Sequence, residues 1–127
     1  MKIHTFDHIA TRLQEIQNVL EAEYDGDEGN VLMDRLTKIS TYMAESGKLK
    51  ADAEYHYNSK LSSEIMRAFK DLIPEYTSAT VQNAWVKSLA KDELQLLTLA
   101  ERVNRSATHQ IDCMRTQLSY IKGLINS

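Results

Sequence analysis

Eight polar residues near the C-terminus have the types and the spacing for chemistry: Asn104, Arg105, Thr108, His109, Asp112, Arg115, Thr116 and Ser119. Arg105 and His109 are four apart. His109 to Asp112 and Asp112 to Arg115 are steps of three, so on a helix these side chains lie side by side. An imidazole beside a carboxylate can be held in one orientation, which is the first half of a general base or of a metal site. Catalysis needs a third group from another element, and the sequence does not place one. The plainer expectation is a solvated ion-pair row or a polar network between helices, because networked charges are more often structural than catalytic. Asn104 falls on the apolar side of the same run. A buried Asn there bonds a neighbouring helix and can fix register or partner number. These eight are therefore candidate interaction or network residues, with no catalytic, cofactor-binding or metal-binding role assigned.

Other constellations are weaker. His4 and His8 have the i,i+4 spacing of a helical metal pair, with Asp7 between them. Residue 4 lies at or before the helix start, however, so a frayed N-terminus with exposed histidines is expected. Asp25, Asp27 and Glu28 resemble the opening of a calcium loop, but the fifth and twelfth loop positions are Gly29 and Leu36, so an acidic turn is the better reading. The Glu-x-x-His pairs of a di-iron bundle are missing: Glu54 with His56 and Glu101 with His109 have the wrong intervals. Tyr55, His56 and Tyr57, near Lys50, Lys60 and Arg67, suggest a stacking platform for single-stranded nucleic acid. Tyr57, however, keeps the apolar period of its helix and is expected in the core. Cys113 is the one cysteine, so no intramolecular disulfide forms, and it reads as a small residue near the core edge. The sequence has no Gly-rich phosphate loop, nucleophile elbow or Cys/His zinc spacing. An enzyme is not expected, and no cofactor or metal is implied.

The elements that must position these residues are helices. From Asp92 to Ile125, the residues Leu97, Ala100, Asn104, Ala107, Ile111, Met114, Leu118, Ile121 and Ile125 recur at alternating steps of three and four, the pattern of a helix buried along one face. Ala100 and Ala107 let a neighbouring backbone come close. Thr5 or Asp7 can cap a first helix with the stripe Phe6, Ile9, Leu13, Ile16 and Leu20. The run Asp25–Asn30 stops it. Asn30 can cap a second helix, with Leu32, Leu36, Ile39 and Met43 on one face. Gly47 could end this helix as a C-terminal cap or be tolerated inside a longer one; it stands in no turn-forming cluster, and Leu49, Ala53, Tyr57, Leu61, Ile65, Phe69 and Leu72 restore the stripe beyond it. One long helix, from Val31 to about Leu72, is therefore predicted. Pro74 to Ser78 forms a corner, and Thr80 to Leu89 suits a short connecting helix in which Trp85 plugs the bundle end. The fold class expected is all-α, an antiparallel helical bundle of two long helices, one medium helix and a short connecting helix, in a single domain over residues 1–127.

Composition agrees. Apolar residues are 43% and charged residues 26%, which suits a folded domain rather than a disordered chain. The net charge of -3 is uneven: residues 1–34 carry two basic and eight acidic side chains, and no region is basic enough for a nucleic-acid footprint. No apolar run approaches the roughly 20 residues of a membrane span, and the N-terminus has no apolar signal region. A cytoplasmic protein with no membrane partner is expected.

The segment Glu101 to Lys122, through Asn104-Arg105, Thr108-His109-Gln110, Asp112, Arg115 and Ser119, resembles the C-terminal helix of small uncharacterised proteins from phages and related mobile elements of Bacteroides-like bacteria. The resemblance implies a phage or prophage setting and a helical fold, and it carries over no catalytic residue. The function expected is a non-enzymatic interaction or structural protein that acts through helix faces, as a homo-oligomer or with a protein partner. The alternative is an accessory protein of phage DNA replication or recombination, touching nucleic acid through Arg105, Arg115 and Lys122.

Overall fold

The computed structural model describes residues 2–70, 84 and 88–125. Among them there are three packed helices and no strand: α1 (Phe6–Glu21), α2 (Gly29–Lys70) and α3 (Lys91–Ile125). At 1.5 Å per residue they span about 24, 63 and 52 Å. The corner at Pro74, Trp85 and nearly all of the short helix expected at 80–89 lie outside the described residues.

Each start follows from local chemistry. Thr5 is the N-cap of α1, its hydroxyl accepting from the His8 N–H at 3.2 Å. Asp7 adds negative charge in the first turn, at the positive end of the helix dipole. The acidic connection then turns on Asp25, whose carboxylate accepts from the Asp27 N–H at 2.9 Å. The second helix begins at Gly29, with Leu32 N–H bonded to Glu28 O at 3.0 Å, so Asn30 lies inside the first turn rather than capping it. As predicted, α2 runs unbroken through Gly47. A Cβ there would meet only the Asn104 amide, at 3.9 Å.

The core joins Ile9, Leu13, Ile16 and Leu20 of α1, Leu32, Ile39, Leu49 and Ala53 of α2, and Leu96, Ala100, Val103, Ala107, Ile111 and Met114 of α3. The buried row of α3 differs from the expected one. Leu96 and Val103 are buried, Leu97 is only partly buried, Asn104 sits at the edge, and Ile125 is exposed. The reason is that α1 and α2 both pack on α3, so the covered face is broader than a two-helix seam and is rotated towards Val103. Small residues at Ala100 and Ala107, both fully buried, stand where the helices meet.

Residue pairings set the relative directions. Arg12 meets Glu45 and Val19 meets Arg35; Gly29 meets Ile121, Arg35 meets Gln110 and Met43 meets Asn104. Numbers thus fall along α2 as they rise along α1 and along α3.

Candidate interaction site

The eight candidate residues separate into two groups. Asn104 faces α2: its side-chain N–H donates to Ser46 Oγ at 2.9 Å and to Met43 O at 3.3 Å. Ser46 is buried and itself donates to Met43 O at 2.8 Å. Thr108, one turn on, donates back to Asn104 O at 3.0 Å and lies 3.5 Å from Met43 Sδ. Asn104, Arg105, Thr108 and His109 share a cleft of about 560 Å³ with Lys50 and Glu101. Asp112, Arg115, Thr116 and Ser119 continue outward and are exposed, as are Arg105 and His109. Thr116 bonds only its own helix, at Asp112 O. No ion pair joins Arg105, His109, Asp112 or Arg115 to another described residue. The stripe is therefore one interhelical anchor, at Asn104, followed by an open row. Cys113 is also exposed rather than at the core edge, because it falls between the buried Ile111 and Met114 on the outward side of the turn.

Three polar assemblies escaped the sequence reading. The first closes the C-terminal end of α1. Helix ends leave carbonyls without in-helix donors. Here the carbonyl of Leu20 accepts from Gln110 at 2.7 Å and from buried Arg35 at 3.2 Å, and that of Val19 accepts from Arg35 at 3.1 Å. Gln110 also accepts from Arg35 at 2.9 Å, and the guanidinium carbon lies 4.3 Å from the centre of the Tyr24 ring. A fixed cation is thus set at the negative end of the dipole and over an aromatic face. Its signal was an arginine in the inward row between Leu32 and Ile39.

The second assembly pins the N-terminal segment, which is not frayed. Buried Asp52 accepts from the His4 backbone N–H at 3.0 Å, from His4 Nδ1 at 2.8 Å and from Lys48 Nζ. His56 Nε2 donates to the His4 carbonyl at 2.6 Å, and the His4 and His8 rings stack at 4.5 Å. Because carboxylate and carbonyl are acceptors, His4 carries its hydrogen on Nδ1 and His56 on Nε2. Burial pushes the Asp52 carboxyl up, but the bonds from Lys48 and His4 outweigh it and hold it below its ordinary 3.8. A carboxylate does orient a histidine in this protein, but the pair is Asp52 with His4 rather than Asp112 with His109. Asp52 interrupts an apolar stripe beside Ala53, which marks it in the sequence. Nothing local says that residue 4 reaches it.

The third assembly is Arg12, forked onto Glu45 with two bonds of 2.6 Å and also paired with Glu15. The Arg12 bonds, working against partial burial, hold the Glu45 carboxyl below its ordinary 4.5. Among the described residues no group of three His, Cys, Asp or Glu side chains is placed to hold a metal ion, and no helix is long and apolar enough to cross a membrane.

At the far end, α3 outruns its cover. The start of α2 at Gly29 meets Ile121, and beyond that point Leu124 and Ile125 are 59% and 77% exposed, with Tyr120 at 68%. A groove of about 520 Å³ lies between these turns and the α1–α2 connection, lined by Gly26, Asp27, Thr116, Gln117, Tyr120, Ile121 and Leu124.

Compared with known proteins, the chain matches no family model, no curated protein and no solved structure.

Proposed function

We propose that this chain is a non-enzymatic interaction protein, an antiparallel helical bundle that works through the outward face of α3 and self-associates there. The reading rests on the pattern of the row Arg105, His109, Asp112, Arg115 and Ser119 on one exposed helix face; its charges take no ion pair with a described residue, so they form no interhelical network there, and a solvated face is the plainer alternative. The fold has no use for this row, yet it holds both signs at helical spacing. Two copies laid antiparallel along it set Asp112 of each against Arg115 of the other, the twofold pattern of a symmetric dimer. The resemblance of residues 101–122 to phage and mobile-element proteins supplies the setting we infer.

Sedimentation over a concentration series tests this. Asp112→Arg is expected to weaken association, and adding Arg115→Asp to the same chain is expected to restore it. A strict monomer at every concentration, or a double variant weaker than both single ones, overturns the reading. The second reading rests on Arg105, Arg115 and Lys122, which are all exposed on one helix. Phosphate contacts through them would bind single- or double-stranded DNA with an affinity falling steeply as salt rises. No binding at low salt ends it.

A further inference from the structure

We infer that the groove at the end of the bundle is a docking site for a basic amphipathic helix of a partner protein. The inference rests on the reading above that the chain acts through helix surfaces, and it names a second surface and its occupant. The floor is apolar, built from Tyr120, Ile121 and Leu124. Gln117, in the same lining, has a buried amide oxygen with no donor among the described residues. The connection that forms the opposite wall belongs to the acidic run Glu21, Glu23, Asp25, Asp27 and Glu28, five exposed carboxylates in eight residues without one basic side chain. None of the five is in an ion pair with a described residue.

An apolar strip beside a one-sided charge selects its occupant. A second copy of this end would bring five carboxylates against five, and like charges across an interface oppose association. Nucleic acid and anionic lipid are repelled for the same reason. A helix with apolar residues at i, i+3 and i+4 flanked by Lys or Arg satisfies both requirements, filling the groove with one face and meeting Asp25, Asp27 and Glu28 with its edges.

The test titrates the full chain into a fluorescent peptide of Leu and Lys, about five helical turns long. One control has the same composition in scrambled order, and a second carries Glu in place of Lys. The amphipathic basic peptide is expected to bind and gain helicity, more weakly at higher salt. Tyr120→Asp and the double variant Asp25→Lys with Asp27→Lys are each expected to weaken it by about tenfold or more. All three positions are exposed, and circular dichroism checks that the variants fold. Lys38→Ala, at an exposed position of α2 outside the groove lining, is expected to leave binding unchanged. Equal binding of the scrambled or acidic peptide, insensitivity to the groove variants, or no binding at all overturns the proposal. A chain that self-associates alone yet binds none of the peptides removes this inference and leaves the interaction reading standing.

Discussion

Asp52 shows how one buried side chain ties distant segments together. It accepts from residues 4 and 48, so Asp52→Asn removes a charge from a site already furnished with donors. The expected cost is about 1–3 kcal/mol by urea unfolding at neutral pH. The acid dependence follows from its depressed pKa. The folded state holds the proton less tightly than the unfolded chain, so the carboxylate stabilises above the ordinary value of 3.8, and that contribution is lost as pH falls through the folded value. The gap in melting temperature between the wild type and Asp52→Asn is therefore expected to be wide at pH 6 and to close as the pH falls below 3.8. A gap that stays constant to pH 2 would mean that the carboxylate does not hold the N-terminal segment. Arg35 is the other residue of this kind. Arg35→Met fits the apolar surroundings but leaves the Val19 and Leu20 carbonyls without their cation, and a loss of about 2–3 kcal/mol is expected in the same assay. Neither role was legible beforehand, because Asp52 depends on His4, 48 residues away, and Arg35 on partners 15 to 75 residues away.

At the scale of the element, most boundaries followed from the sequence. Thr5 caps α1 as expected, because capping acts within a turn, whereas α1 ends at Glu21 with Ala22 extended, short of the acidic run Asp25–Asn30 expected to stop it. The continuity of α2 through Gly47 followed from the lack of turn formers around it. Glycine there still carries its entropic cost. Space for a methyl group exists, so Gly47→Ala is expected to raise stability by about 0.5–1 kcal/mol, read as a rise of a few degrees in melting temperature. Ala107 is the opposite case. It is fully buried where the helices meet, and Ala107→Leu is expected to destabilise by about 1–3 kcal/mol through overpacking. A neutral effect of that change would show that the contact has slack. The rotation of α3 was misjudged by one residue, with Val103 rather than Asn104 in the deepest row, because periodicity in one helix does not reveal that two others share its surface.

For the whole molecule, the uneven charge becomes directional. The acidic run lies at one end, beside the exposed last turns of α3, while the mixed-charge row occupies the outward side of that helix. These surfaces should respond differently to solution conditions. The self-association proposed above, through Asp112 and Arg115, is expected to weaken several-fold when salt rises from about 0.05 to 0.5 M, as screening shortens the reach of surface charges. Sedimentation at the two salt levels checks it. Association that strengthens with salt would point instead to the apolar residues Tyr120 and Ile125.

The sequence by itself determined that the chain builds long helices, where α1 and α3 begin, and that each helix carries an apolar stripe. Those properties depend on side chains three or four positions apart and on caps within a turn. The tertiary structure decided which polar residues have partners. It set His4 on Asp52, Arg35 and Gln110 on the end of α1, and Asn104 on Ser46, and it left His109, Asp112 and Arg115 in solvent. A pattern on one helix can show that charges share a face, but their burial depends on what the other helices bring against it.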